Sequence, residues 1–90
     1  MHAVVVSSVI ADFEGARKRL HDEVIPMVKQ MPGFVSGCWL APLDLKGISV
    51  VIFESEDAAQ AMASRMHPGS RLNEFVVVET VEVREVAGSA

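Results

Sequence analysis

The most constraining feature of this sequence is a set of short β-branched runs that are apolar at both odd and even positions. Residues 3–9 (Ala-Val-Val-Val-Ser-Ser-Val) and 48–53 (Ile-Ser-Val-Val-Ile-Phe) are the clearest, and residues 75–78 (Phe-Val-Val-Val) begin another. Successive side chains of a strand point to opposite faces of its sheet. These runs therefore predict strands that are covered on both faces.

The segment 11–30 has the apolar periodicity of an amphipathic helix. Asp12 is its expected N-cap, and Pro32-Gly33 is its expected end. Pro26 removes one backbone hydrogen bond, but the apolar pattern continues beyond it, so we expect a kink there. The apolar stripe consists of Phe13, Ala16, Leu20, Val24, Met27 and Met31.

The remaining patterns complete a βαββαβ order. Residues 34–40 form the expected second strand, residues 42–47 the hairpin connection, and residues 75–86 the last strand. The second helix follows its N-cap Ser55 and ends at His67-Pro68-Gly69. We predict one α+β domain of the ferredoxin-like type, with a four-stranded antiparallel sheet and both helices on one face. Its core spans residues 2–86, and residues 87–90 form a frayed tail.

Composition argues that the second face of this sheet is covered as well. The chain has 90 residues, and 50% of them are hydrophobic. A domain of this size can bury only a limited share of the surface that its unfolded chain exposes. Its two helices cover only one face of the sheet. A second copy of the same sheet is the simplest cover, so we expect a homodimer that pairs through its sheet faces.

Charge and cysteine content exclude several partners. The net charge is −4, and no cluster of lysine and arginine indicates a phosphate-binding face, so no nucleic-acid partner is expected. No signal peptide is recognisable and no apolar stretch approaches the roughly 20 residues of a membrane span, so no membrane partner is expected. The single cysteine, Cys38, is expected to be a small buried hydrophobe. It cannot form an internal disulfide, which fits a cytoplasmic location.

Two motifs resemble a known superfamily. They are Pro-Gly-Phe at residues 32–34 and Phe-Glu-Ser-Glu-Asp-Ala-Ala at residues 53–59. With the βαββαβ order they resemble the dimeric α+β barrel superfamily, most closely its antibiotic-biosynthesis-monooxygenase-like branch, over about residues 2–86. The resemblance implies two sheets that face each other as a barrel, and a cleft between each sheet and its helices. Members include cofactor-independent monooxygenases of polyphenolic rings, haem-degrading enzymes, dehydratases, isomerases and proteins without known activity.

The sequence departs from the catalytic patterns of that superfamily. The haem-degrading branch uses an asparagine on the first strand, a tryptophan on the third and a histidine on the second helix. Here Ser7 and Ser8 occupy the first strand, the tryptophan is Trp39 on the second strand, and His67 ends the second helix. The polyketide-oxidising branch relies in part on tyrosine, which this chain lacks. No cofactor is therefore expected.

A few side chains are candidates for a site in the cleft. Trp39 and His67 are the candidate catalytic residues; the alternatives are a core aromatic for Trp39 and a solvated residue at a helix C-terminus for His67. The candidate ligand-binding residues are Trp39, Met27, Met62, Met66 and Arg65, for which core packing and surface solvation are the alternatives. The three histidines lack metal-ligand spacing, so no metal is expected.

Three functions remain open at this point. The first is a homodimeric barrel that binds a small apolar or aromatic molecule in the sheet–helix cleft. The second is a cofactor-independent monooxygenase that acts on an aromatic or polyketide-like substrate. The third is a structural or regulatory dimer without a ligand. The sequence does not decide whether the protein is an enzyme.

Overall fold

A computed structural model, which describes residues 1–90, has one five-stranded antiparallel sheet. The sheet order is β2-β3-β1-β5-β4, with β1 and β3 at its centre. The strands are β1 (His2–Ile10), β2 (Phe34–Leu43), β3 (Lys46–Phe53), β4 (Arg71–Asn73) and β5 (Val76–Glu85). The predicted α+β class is confirmed. Apart from the short strand β4, the observed strands and helices follow each other in the predicted βαββαβ order, which is roughly that of the ferredoxin-like fold.

The predicted number of four strands is wrong, because residues 71–73, between the predicted second helix and the predicted last strand, form a fifth. Strand β4 pairs with β5, with Arg71 opposite Val77 and Asn73 opposite Val76. The chain can reverse within a few residues because the Asn73 side chain accepts a hydrogen bond of 2.8 Å from the Phe75 backbone N–H. The resulting strand has three residues, too few for an alternating pattern to appear in the sequence.

Four helical segments, of which the first three are continuous, cover one face of the sheet. Helix α1 (Phe13–Arg19) continues through a π-helical segment (Leu20–Val24) into α2 (Ile25–Lys29), and α3 (Glu56–Ala63) follows β3. The predicted caps are confirmed. The Asp12 side chain accepts from the Gly15 backbone N–H, and the Ser55 side chain accepts from that of Ala58.

Pro26 is accommodated by a wide helical turn. The backbone N–H of Ile25 donates to the carbonyl of Leu20, five residues earlier, which is the π-helical spacing. Pro26 then lies in the first turn of α2, where its missing N–H leaves no gap in the hydrogen-bond pattern. The extra residue in this turn changes the phase of the apolar stripe, so that Val28 is buried and Met27 is 56% exposed.

The core lies between the helices and the sheet. Val4, Val51 and Phe53 on the central strands are fully buried, and they pack with Val28 of α2 and Ala59 of α3. Phe34 packs edge-on against Phe53, with ring centroids 6.4 Å apart. None of the helices has the length and apolarity that crossing a membrane requires.

We use the name outer face for the side of the sheet that points away from the helices. Its half on β1, β2 and β3 is mainly apolar: besides Ser7 and Ser36 it carries Ala3, Val5, Cys38, Leu40, Ile48, Val50 and Ile52. Its half on β5 is polar and carries Thr80, Glu82 and Arg84. Cys38 is exposed in the chain, so its predicted burial within the domain is wrong: it lies on β2, at the edge of the sheet.

Candidate functional site

A cavity of about 420 Å³ lies between the helices and the sheet. Its volume falls within the usual range of small-molecule sites. Fifteen of the 21 residues that line it are hydrophobic, so the cavity is suited to an apolar body. The apolar residues of its helical wall are Phe13, Ala16, Leu20, Val24, Val28, Met62 and Met66.

Small residues on the sheet make room for this cavity. Ser8 of β1 pairs with Gly47 of β3, and Val6 of β1 pairs with Ser49 of β3. Ser8, Gly47 and Ser49 therefore lie side by side on the helix-covered face, where larger side chains would fill the space. A Cβ on Gly47 would stand 2.7 Å from Ile10 Cδ1, so the Ile10 side chain occupies the space above this glycine.

Trp39 forms one wall of the cavity. It lies on β2 opposite Ser49, on the face covered by the helices. The indole packs against the core and also borders a second, more open depression, which it shares with Leu20 and His21. The structure thus places Trp39 at the predicted cleft and in the core at once. Its binding and catalytic roles remain predictions.

The other candidate residues divide into two groups. Met62 and Met66 line the cavity. Met27, Arg65 and His67 are not part of the lining and are exposed. Met27 points outward because of the π-helical turn, whereas Arg65 and His67 follow α3, which ends at Ala63.

His67 belongs to a turn rather than to a helix. The Ser70 hydroxyl donates to the His67 carbonyl at 2.6 Å, and the His67 backbone N–H lies 3.3 Å from the same hydroxyl. These contacts involve the backbone of His67 and leave its imidazole outside the cavity lining. The structure gives His67 no contact with a ligand site, and its catalytic role remains a prediction.

The polar residues that do line the cavity are different from the predicted ones. They are Ser8, Arg17, His21, Ser49 and Asn73. Arg17 and His21 are not among the predicted site residues, and each has a charged neighbour on the first helix. A helical signal was nevertheless present: Phe13, Arg17 and His21 are spaced by four and form a row beside the stripe of Ala16, Leu20 and Val24.

The charges around the cavity have one sign. No aspartate or glutamate lines it, although the chain contains 12 acidic residues. Arg17 is the one lysine or arginine in the lining, and it forms no ion pair. Its guanidinium carbon stands 6.0 Å from the centre of the Phe13 ring.

The side chains whose pKa values are shifted belong to two exposed ion pairs outside the cavity. A hydrogen bond from Lys18 lowers the pKa of Asp22, and one from Arg84 lowers the pKa of Glu82. The first pair is spaced by four residues along the helical stretch, with Nζ and Oδ2 2.7 Å apart. The second pair keeps the β5 half of the outer face charged.

The Ser8 hydroxyl has no hydrogen-bond partner in the chain. Its residue is 8% exposed, and none of the side-chain hydrogen bonds in the structure involves its hydroxyl. The hydroxyl is not sealed within the protein, since the enclosed side-chain atom that lacks a partner is His2 Nδ1. The Ser8 hydroxyl is therefore open to the cavity.

No group of three or more histidine, cysteine, aspartate or glutamate side chains is arranged to hold a metal ion. Comparison of the chain with protein-family models, with curated proteins and with solved structures finds no match.

Proposed function

We propose that this chain binds a small apolar or aromatic molecule in its sheet–helix cavity and acts as a homodimer of the dimeric α+β barrel type. The observation that carries the proposal is the cavity of about 420 Å³ with 15 hydrophobic residues among the 21 that line it. Ligand sites are commonly apolar clefts with a few well-placed polar groups. Trp39 supplies a flat aromatic wall, and Met62 and Met66 supply adaptable apolar contacts.

The apolar half of the outer face supports the homodimer. Leu40 is 53% exposed and Ile48 is 45% exposed, and the two residues are partners on neighbouring strands. Both also contribute atoms to the cavity lining. Contiguous apolar surface of this kind is typical of interaction sites. A second copy offers the same surface around a twofold axis, so each apolar half is covered by its equivalent. The free thiol of Cys38 on this face is consistent with a reducing, cytoplasmic location.

Native mass spectrometry of freshly purified protein tests both parts together. We expect the mass of two subunits with a reproducible small adduct. A panel led by N-phenyl-1-naphthylamine, a neutral aromatic fluorophore, then measures affinity by fluorescence.

The matched variants are Ser49→Phe, which fills the floor of the cavity, and Ala61→Phe, which adds the same ring at an exposed position of α3. We expect Ser49→Phe to abolish binding and Ala61→Phe to preserve it, with circular dichroism showing that both variants are folded. Folded wild-type protein that binds nothing in the panel, or binding that survives Ser49→Phe, would contradict the proposed site.

A cofactor-independent monooxygenase is the second candidate, and the position of Trp39 at the cavity favours it. In this reading the aromatic substrate supplies the electrons that reduce oxygen, and Trp39 lies beside it. Oxygen uptake with hydroxylated aromatic substrates tests the idea. Uptake that is lost in Trp39→Leu but kept in Arg65→Gln would support it, and no uptake by folded protein across the panel would count against it.

The third reading, a structural or regulatory dimer without a ligand, requires a filled cleft, which the cavity does not favour.

A further inference from the structure

We infer that the ligand of this cavity is an amphipathic acid: an apolar or aromatic body with a carboxylate or phenolate held by Arg17, and a second oxygen that bonds to Ser8. This inference rests on the proposed ligand-binding function and names the class of molecule that the site takes. It is carried by the charge of the lining and by one hydroxyl that opens onto the cavity without a partner in the chain.

The first step concerns charge. The chain carries a net charge of −4, yet the cavity is lined by Arg17 and His21 and by no acidic residue. Lys18, Arg19, Lys46 and Arg84 each pair with a carboxylate. Arg17, Lys29, Arg65 and Arg71 do not, and of these four only Arg17 lines the cavity. An unpaired guanidinium at the edge of an apolar cavity favours an anionic oxygen, since charge-assisted hydrogen bonds are the stronger ones.

The second step concerns the position of this cation. Arg17 is held beside the cavity by its contact with the Phe13 ring, whose centre is 6.0 Å from the guanidinium carbon. His21 follows one helical turn later and lines the same cavity, so it offers a second nitrogen donor along the same row. An acid group at this row leaves the apolar body of the ligand against Trp39 and the methionines.

The third step concerns the floor of the cavity. The Ser8 residue is more than nine-tenths buried, at 8% exposure, and its hydroxyl lacks a partner in the chain. This hydroxyl opens onto the cavity, so a ligand oxygen that lies there can form a hydrogen bond with it. Ser8 belongs to the sheet and Arg17 to the helical wall, so the two polar contacts approach the ligand from different sides.

The test compares two probes of nearly equal shape, 2-naphthoate and its neutral carboxamide, by isothermal titration calorimetry on the wild-type protein. We expect the acid to bind about tenfold more tightly than the amide at low salt. In Arg17→Gln this preference, measured as the ratio of the two affinities in the same variant, is expected to disappear. Arg65→Gln removes the same charge from an exposed residue outside the lining and keeps the preference.

The outcomes separate this inference from the proposed function. If neither probe binds to folded protein, the ligand-binding function itself fails. If both probes bind equally, or if the preference for the acid survives Arg17→Gln, the assignment to an anionic ligand is overturned and the apolar site stands.

A second arm uses the hydroxy-2-naphthoate isomers to test Ser8. We expect at least one isomer to bind about fivefold more tightly than 2-naphthoate, and Ser8→Ala to remove that gain, measured as the ratio of the two affinities in the same variant. If no isomer gains affinity, or if the gain persists in Ser8→Ala, the Ser8 contact is wrong.

Discussion

The Trp39 indole lies flat against Gly37, two residues earlier on the same strand. A Cβ on Gly37 would stand 2.7 Å from both Cη2 and Cζ3 of the indole, closer than carbon atoms approach without displacement. Gly37 pairs with Val51 and Trp39 pairs with Ser49, so both residues face the helices. The missing side chain at position 37 thus lets the indole lie along the strand and form a wall of the cavity.

We predict that Gly37→Ala displaces the indole and deforms the cavity. Alanine is better than glycine in a strand by roughly 0.5–1 kcal/mol, but the overlap with the ring outweighs this gain, and we expect a net loss of about 1 kcal/mol in the free energy of unfolding. Trp39 is the one tryptophan, so its emission reports the movement directly. We expect a shifted emission maximum and about tenfold weaker binding of N-phenyl-1-naphthylamine.

Gly88→Ala is the control for this prediction, because a Cβ at Gly88 has no atom within 4 Å. It should leave emission, affinity and stability as they are in the wild type. Unchanged emission and affinity in Gly37→Ala would show that the ring moves aside at no cost and that its position does not define the cavity.

Gly15 illustrates a close approach that the helix pattern alone does not reveal. Glycine in a helix costs up to about 1 kcal/mol relative to alanine, which would make Gly15→Ala a stabilising change. A Cβ at this position, however, would stand 2.6 Å from Phe75 Cε1 and 2.9 Å from Asp12 Oδ2. The Arg19 guanidinium lies 5.8 Å from the centre of the same Phe75 ring, which limits how far the ring can move.

We therefore predict that Gly15→Ala lowers the free energy of unfolding by about 1 kcal/mol, measured by chemical denaturation. The same substitution in a Phe75→Ala background has no ring to displace and should be neutral or stabilising. A double-mutant cycle isolates this coupling. Equal effects in the two backgrounds would show that the contact with Phe75 does not decide the choice of glycine.

These two glycines indicate how far the sequence could predict the fold. The sequence indicates a bulge or a close backbone approach at Gly37, but not that the approaching group is Trp39. The clash at Gly15 depends on Phe75, 60 positions later, which no local pattern encodes. The order of strands and helices was predictable because it follows from local periodicity and from caps such as Asp12 and Ser55.

The candidate site was less predictable than the fold. Trp39, Met62 and Met66 were identified from residue type and position, and they line the cavity. Met27 was misplaced because periodicity assumes a constant 3.6-residue turn, whereas the π-helical segment inserts a residue before it. The sequence could not distinguish Arg17 from Arg65. Arg17 lines the cavity and Arg65 does not, and the cavity is formed in part by elements that are distant from both in the sequence.

The hairpin between β2 and β3 contains a backbone conformation that leucine rarely adopts. Asp44 has φ of 51° and Leu45 has φ of 67°, as both central residues of a type I′ turn require. Leu45 is 59% exposed, so little packing is lost when it is shortened. We predict that Leu45→Gly raises the free energy of unfolding by about 1 kcal/mol, because glycine has no Cβ to strain in this region.

Leu43→Gly is the matched control, since Leu43 is 79% exposed and lies at the end of β2, in the strand conformation. At position 43, glycine should lower the free energy of unfolding by roughly 0.5–1 kcal/mol, because it gives the unfolded chain more conformational freedom. Thermal and urea denaturation of the two variants give the comparison. A loss of stability in Leu45→Gly comparable to that in Leu43→Gly would contradict the argument from φ.

Adjacent serines on β1 give a further matched pair. The Ser7 hydroxyl shares a hydrogen bond with that of Thr80, whereas the Ser8 hydroxyl faces the cavity without a partner. We predict that Ser7→Ala lowers the free energy of unfolding by about 1 kcal/mol. Ser8→Ala should leave it within about 0.5 kcal/mol of the wild type in ligand-free protein, because this hydroxyl opens onto the cavity and has no partner in the chain to lose. A loss in Ser8→Ala equal to that in Ser7→Ala would show that Ser8 is satisfied after all.

The last prediction concerns the outer face and the proposed dimer. Val50 lies at the centre of its apolar half, opposite Val5 on one neighbouring strand and Cys38 on the other. A lysine at this position would place a charge in the middle of a sheet-to-sheet contact, where it has no partner. We predict that Val50→Lys weakens dimerisation at least 100-fold and gives a monomer at micromolar concentration in sedimentation velocity experiments.

Gln60→Lys adds the same charge at an exposed position on α3, away from the outer face, and should remain dimeric. Because Val50 points away from the core, Val50→Lys should keep a folded circular dichroism spectrum, which separates loss of dimerisation from loss of folding. A wild-type protein that sediments as a monomer would remove the basis for the dimer. A Val50→Lys variant that remains dimeric would place the interface elsewhere than on the apolar half of the sheet.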